Sequence, residues 1–122
     1  MATSDISDLM AGLFLSREVA HREHLKTESY AAHMALGTFY EGIIGLADGL
    51  AEAYQGRTEE RIKDIPYLAG SKQPVLVVLK KILAQVEVSR KQVLPDDPAF
   101  QNLIDGVVDL FLSTIYKLTF LK

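Results

Sequence analysis

The segment YAAHMALGTFYEGIIGLADGLAEAY, residues 30–54, decides the fold class of this chain. Apolar side chains recur through it at the spacing of an α-helix and form one narrow stripe. The stripe consists of Leu36, Phe39, Ile43, Leu46 and Leu50. Thr27 or Ser29 can cap this helix, and Gly56 is predicted to end it. A helix with one apolar stripe buries that stripe against other helices, so the segment predicts a helical bundle.

Helices are also predicted at both ends of the chain. A first helix is expected to begin at a cap, either Ser4 or Asp5, and to run to about Lys26. Asp97 followed by Pro98 combines a capping carboxylate with proline at the first helical position. This pair predicts the start of a fourth helix that reaches the C-terminal end of the sequence.

A third helix is predicted between these elements. Ser71 is its expected cap, Pro74 lies in its first turn, and it should end near residues 94–95. The apolar run 75–79 alone could be a buried strand. The helical period continues to Val86, however, and no partner strand is visible, so a helix is the better interpretation.

Four helices of about 20 to 25 residues with mostly short links predict an up-down antiparallel bundle of the ferritin-like kind. Residues 1–122 are expected to form this single all-α domain. The link between the second and third helices looks too short for a well-developed extra helix. The fourth helix is apolar on more than one face, although a bundle helix needs only one apolar stripe. The second face predicts a homo-oligomer.

Composition and charge exclude several classes of protein. The net charge is −3 and the basic residues are scattered, which disfavours nucleic-acid binding because that binding depends on clustered cations. The absence of cysteine excludes disulfides and thiolate metal sites and is typical of a cytoplasmic protein. Residues 1–5 lack the features of a signal peptide, and no apolar run is long enough to span a bilayer.

Common catalytic motifs are missing. Gly45, Gly49 and Gly56 lack the Lys-Ser or Lys-Thr pair of a phosphate-binding loop. His21 and His24 are one residue too close for the HExxH spacing of a zinc protease. No serine stands in the glycine context of a nucleophile elbow. These absences leave metal binding as the best-supported chemistry.

Six side chains of the kinds that bind iron, manganese or zinc in the absence of sulfur lie in the first two helices. They are His21, His24, His33, Glu41, Asp48 and Glu52. At about 100° per residue, His33 and the three carboxylates share one polar stripe on the second helix. Helical bundles build metal sites from such side chains on facing helices, so a metal site is predicted. The alternative is a set of core or interface histidines beside a solvated acidic face.

The spacing of four of these residues resembles a known family. His33 follows His21 by 12 residues, Asp48 follows His33 by 15, and Glu52 follows Asp48 by 4. These spacings match the dinuclear iron site of the starvation-induced DNA-protecting (Dps) members of the ferritin superfamily. Residues 97–100 and 115–121 also resemble the start and end of that family's last helix. The chain is therefore similar, over almost its whole length, to a short, divergent Dps-like protein.

The resemblance implies a site between two subunits that oxidises ferrous iron for storage inside a hollow shell. His21 and His33 would face Asp48 and Glu52 of a neighbour, with Glu52 as the bridging ligand. At one family ligand position this sequence has Gly37, so Glu41 one turn further along, or a solvent molecule, is expected to replace it. No basic N-terminal tail is present, so the DNA-binding property of the family is not carried over.

A second class of function fits the same sequence. A non-enzymatic helical assembly or interaction protein could keep the ferritin-like bundle and lose the metal site. The apolar last helix suits both alternatives, because both require oligomers. Gly37 favours the assembly protein, and the retained spacing of the four matched residues, His21, His33, Asp48 and Glu52, favours the metal-binding one.

Overall fold

In a computed structural model that describes residues 5–122, the chain forms four helices joined by irregular links. They are α1 (Ile6–Lys26), α2 (Tyr30–Thr58), α3 (Val75–Ser89) and α4 (Pro98–Phe120). No strand occurs within these residues, so the predicted all-α class is confirmed. The alternative cap Ser4 and the rest of residues 1–4 lie outside the described residues.

Three of the helices begin at the predicted capping residues. Asp5 caps α1 by accepting a hydrogen bond from the backbone N–H of Asp8 at 3.0 Å, and the Asp8 side chain accepts in return from the backbone N–H of Asp5. Ser29 caps α2 through a 3.1 Å bond from the N–H of Ala32. Asp97 caps α4 directly before the proline. Each cap satisfies an N–H that has no partner inside the helix.

The end of α2 differs from the prediction. Gly56 lies inside the helix, which continues to Thr58 and stops at Glu59, a residue in the left-handed conformation with φ of 58°. The last turn is held by side chains, because Gln55 Oε1 accepts a hydrogen bond from the N–H of Ile62 at 2.9 Å. These side-chain contacts, rather than the glycine, set the end of the helix.

The start of α3 also differs in detail. The helix begins at Val75, directly after Pro74, and no side chain caps it. The hydroxyl of Ser71, the predicted cap, instead accepts a hydrogen bond from the N–H of Gln73 at 3.2 Å. Proline fixes its own φ near the helical value, so the turn can start without a side-chain cap.

The third helix ends at Ser89, about one turn earlier than predicted. A helical Pro95 would clash with the carbonyl of Lys91 and would leave that carbonyl without a donor. The chain instead turns, with Leu94 in the left-handed region at φ of 44°. The side-chain amide of Gln101 donates to the backbone carbonyls of residues 90, 93 and 94, which replaces the lost helical bonds.

The four helices pack as a bundle in which α1 and α4 occupy opposite corners, as do α2 and α3. Neighbouring helices run antiparallel. Along the contact of α2 with α4, for example, Gly42 lies opposite Leu110, and Leu46 lies opposite Gly106. The predicted antiparallel four-helix bundle is therefore present.

The simple up-down order expected for short links does not hold at α3. Arg90 at the end of α3 bonds Asp105 near the start of α4 at 2.7 Å, so α3 runs antiparallel to α4 and parallel to α2. Residues 59–74 must therefore cross the length of the bundle, and they do so over the outer face of α1. Ala11 of α1 is only 2% exposed and lines the space beneath this crossover. The crossover contains no helix, as expected.

The core is apolar throughout its length. Phe39 and Phe111 meet edge to face at its centre, with ring centroids 4.9 Å apart, a favourable geometry for aromatic pairs. The buried polar residues in the described part of the chain are Ser16, Ser89 and Thr114, and none is charged. None of the residues 5–122 lies in a helix that has both the length and the apolar character needed to cross a membrane.

The cap of α4 generates a prediction about acid stability. Arg57 Nε donates to the Asp97 carboxylate at 2.5 Å, and this hydrogen bond, followed by that from the backbone N–H of Phe100, lowers the pKa of Asp97 below its ordinary value of 3.8. A carboxyl whose pKa is lower in the folded state stabilises the fold above its unfolded pKa and loses that effect as the pH falls through the folded pKa. We therefore expect the stabilisation by Asp97 to be complete at neutral pH and to fade below about pH 4.

Asp97→Asn is the matched variant, because asparagine caps helices as well as aspartate but carries no charge. Thermal unfolding of both proteins between pH 7 and pH 2 should show a lower melting temperature for Asp97→Asn at neutral pH. The difference should vanish in acid. A difference that stays constant with pH would contradict the assigned role of the Arg57 hydrogen bond.

Candidate functional site

Four aromatic rings gather at the end of the bundle where a short turn joins α1 to α2. His21 and His24 come from α1, and His33 and Tyr40 come from α2. The His24 and His33 rings stack with centroids 3.8 Å apart and planes inclined by 17°. The His21 and Tyr40 rings stack at 4.1 Å and 8°, and Tyr40 meets His24 edge to face at 5.2 Å. All four side chains are half-buried, so this histidine cluster lies at the boundary between core and solvent.

Two reciprocal hydrogen bonds orient the stacked pair. His24 Nδ1 lies 2.6 Å from the carbonyl oxygen of His33, and His33 Nδ1 lies 2.8 Å from the carbonyl oxygen of His24. A carbonyl can only accept, so each Nδ1 must carry the hydrogen and donate it. In the neutral rings each Nε2 then keeps a free lone pair. This is the tautomer in which imidazole binds a metal ion, with Nδ1 held by a backbone carbonyl.

The stacking prevents His24 and His33 from binding the same metal ion. Each imidazole lone pair lies in the plane of its ring, and a metal–nitrogen bond is about 2.0–2.1 Å long. An ion bound by both His24 and His33 would have to lie far outside both ring planes, so the two stacked rings cannot chelate the same ion. His21 is 6.4 Å from His24 between ring centroids. Within residues 5–122 no group of three or more histidine, aspartate or glutamate side chains is placed to hold a metal ion.

The three predicted carboxylates lie elsewhere on the same helix. Glu41, Asp48 and Glu52 are exposed on the outer face of α2. At a rise of about 1.5 Å per residue, Asp48 is roughly 22 Å along the helix from His33. One chain therefore brings the histidines together and leaves Asp48 and Glu52 far from them.

Gly37 has a steric role within the histidine cluster. A Cβ atom at this position would lie 3.1 Å from Cε1 and 3.3 Å from Nδ1 of His24, closer than ordinary van der Waals contact. The His24 ring therefore occupies the space that a ligand side chain at position 37 would need. The side chain nearest to that position is thus the imidazole ring of His24 and not a carboxylate.

Tyr40 is the member of the cluster that the sequence analysis did not single out. Tyr40 follows His33 by seven residues, which is two helical turns, so both side chains lie on one face of α2. That spacing was the available signal. Its pairing with His21 depends on how α1 packs against α2, and the spacing of residues within one helix does not reveal that packing.

The contact of Gly37 with His24 predicts different effects for two glycine substitutions in α2. Gly45→Ala should stabilise the protein by about 0.5–1 kcal/mol, because alanine is the better helix former and Gly45 has no atom within 4 Å of the added Cβ. Gly37→Ala should show no such gain, because its Cβ would push against a His24 ring held by hydrogen bonding and stacking. Urea unfolding measures both changes.

A His24→Ala background supplies the control for this comparison. Removal of the ring should restore the stabilising effect of Gly37→Ala, which a double-mutant cycle would report as a coupling between the two positions. Equal stabilisation by Gly37→Ala and Gly45→Ala in the wild-type background would show that the His24 ring moves aside easily.

Comparisons with known proteins assign the chain to a family. Neither the comparison with curated proteins nor that with solved structures gives a match. A family model matches residues 24–118, which include His24, His33, Gly37 and Tyr40 but not His21. The match covers most of the sequence, and the chain belongs to this family of unknown function, DUF5856.

Proposed function

We propose that this protein binds transition-metal ions, with iron as the first candidate, at the histidine cluster between α1 and α2. The observation that carries the proposal is the pair of reciprocal hydrogen bonds that hold His24 and His33 with Nδ1 as the donor. A ring in that state presents a free Nε2 lone pair without a further change of tautomer. Imidazole suits iron and zinc, and carboxylates suit iron and manganese, so these are the metals to compare.

The site is proposed to be completed by a second copy of the chain. The two stacked rings each offer one nitrogen and cannot share an ion, so further ligands have to come from outside the cluster. Asp48 and Glu52 are exposed on the outer face of α2, where a neighbouring subunit could receive them. In such an assembly His21 and His33 of one subunit would face Asp48 and Glu52 of the other. Carboxylates stabilise the harder ferric ion, which is the chemistry of ferroxidation.

The path of the chain supports a ferritin-like assignment. Ferritin-like bundles differ from simple up-down bundles by one long crossover connection, and residues 59–74 form one crossover between parallel helices. The spacing of His21, His33, Asp48 and Glu52 supplies the second support. A shared fold by itself does not imply a shared function, so the metal chemistry has to be tested directly.

A non-enzymatic assembly protein is the second candidate, and one surface favours it. Leu112, Tyr116 and Phe120 lie one helical turn apart on the outer face of α4 and are 52%, 55% and 70% exposed. Such an apolar row on the outside of a bundle supports a contact with another molecule. Because the row does not need a metal, it fits a helical oligomer that has lost the iron site.

Anaerobic titration with ferrous iron, followed by admission of oxygen, separates the two candidates. We expect saturable binding that is weakened at least about tenfold by His33→Ala or by Asp48→Ala, because each removes a ligand. Asp109→Ala is the matched control, since Asp109 is an exposed carboxylate on α4 away from the site. Zinc and manganese titrations identify the preferred ion, and ferric absorbance after admission of oxygen reports oxidation.

Mixing the two inactive variants tests whether the site lies between subunits. In a two-fold dimer of His33→Ala with Asp48→Ala, one of the two sites regains all its ligands, so a random mixture should recover about a quarter of the wild-type sites. No recovery would contradict an inter-subunit site. If wild-type protein binds no more metal than His33→Ala/Asp48→Ala, the metal proposal is wrong and the assembly function remains.

A further inference from the structure

A second candidate site lies beneath the crossover, away from the histidine cluster. The crossover residues 65–71 lie across a groove between α1 and α2. Beneath them is a cavity of about 1020 Å³ that is open to solvent. Sites for small molecules are typically concave, mostly apolar and of this order of volume, with a few charged groups that orient the ligand. Of the residues that line this cavity only Asp48 is also a proposed metal ligand, so binding here can be tested in the absence of metal.

The walls of the cavity are apolar side chains that solvent still reaches. Phe14 of α1, Ile44 of α2 and Leu68 of the crossover line it, and each is about half exposed. Exposed apolar side chains that converge on one concave space can be covered by a ligand, which removes their surface from water.

The crossover is fixed to the bundle mainly at its two ends. At one end the N–H of Ile62 donates to Gln55, and at the other Lys81 donates to Gln73 at 2.8 Å. Between these points it lies against the helices through apolar side chains such as Ile65.

The charges along the groove are unevenly distributed. On α1, Glu18 lies 2.7 Å from Arg22 and 3.8 Å from Arg17, so one carboxylate faces two guanidinium groups. The remaining charged group of the lining is Asp48 on α2. Because His21 packs against Tyr40, Arg17 lies level with Ile44, and Asp48 lies about one turn further toward the other end of the bundle. The end of the groove at Arg17 and Arg22 therefore carries one net positive charge, and beyond it Asp48 is the one charged group in an otherwise largely apolar stretch.

We infer that this groove binds a single-chain amphiphile with an anionic head, namely a free fatty-acid carboxylate. The guanidinium fork of Arg17 matches the two oxygens of a carboxylate, whereas a hydroxyl head has one oxygen and no charge and gains much less from it. The tail would lie along the apolar stretch beneath residues 65–71. From Arg17 to Ala11, both in the lining, α1 spans about 9 Å, which covers the greater part of a tail of medium length.

Dodecanoate below its micelle concentration is the probe, and displacement of a fluorescent fatty acid gives its dissociation constant. We expect one saturable site per chain and a dissociation constant about tenfold higher in Arg17→Gln, because glutamine keeps a hydrogen-bonding end group and loses the charge. Arg61→Gln is the matched control, since Arg61 is an exposed cation of the crossover outside the cavity lining and should leave affinity unchanged. Ile44→Asn should weaken the binding of the tail, and circular dichroism verifies that each variant is folded.

Dodecanol separates recognition of the head from burial of the tail. It should bind at least tenfold more weakly than dodecanoate to wild-type protein and about equally to wild type and Arg17→Gln. No saturable dodecanoate binding by folded wild-type protein would overturn the inference. Equal affinities for dodecanol and dodecanoate, or an equal loss in Arg61→Gln, would also overturn it.

Discussion

Because α2 and α3 occupy opposite corners of the bundle and run in the same direction, the chain between them has to travel the full length of the molecule. That requirement makes residues 59–74 a crossover and sends them over the outer face of α1. α1 is therefore covered on two sides, by the core and by the crossover. The outer face of α4 carries no comparable cover, so its apolar row stays exposed. The groove beneath the crossover and the exposed apolar row of α4 thus both follow from one topological constraint.

The histidine cluster depends on a different and more local feature, the short turn between α1 and α2. Residues 27–29 reverse the chain so tightly that the last turn of one helix faces the first turns of the next. This proximity lets His24 and His33 exchange hydrogen bonds with each other's backbone carbonyls. The same contacts hold α1 and α2 together at this turn. They also fix the tautomer of both rings, because a ring that donates its hydrogen from Nδ1 keeps the lone pair of Nε2 available. Gly37 belongs to this arrangement because its missing side chain leaves room for the His24 ring.

Much of the fold could be predicted from local sequence. Asp5, Ser29 and Asp97 cap their helices as expected, because a capping side chain acts within three residues of its own position. The apolar stripe of α2 is largely buried, because the helical period alone determines which residues share a face. The ends of α2 and α3 were predicted less well. They depend on side chains such as Gln55 and Gln101, which bond to backbone beyond the helix.

The sequence by itself determined the number of helices, their apolar faces and the identity of the candidate metal ligands, because these follow from residue type and helical spacing. Only the tertiary structure decided which of those residues meet. It joined the three histidines with Tyr40, left Asp48 and Glu52 on an outer face, and filled the space beside Gly37 with an imidazole. The physical reason is that a helix brings together side chains three or four positions apart, whereas contacts between helices depend on the direction and order of packing. In this chain that order requires a crossover, residues 59–74, and the sequence of this segment has no regular period that would reveal its path.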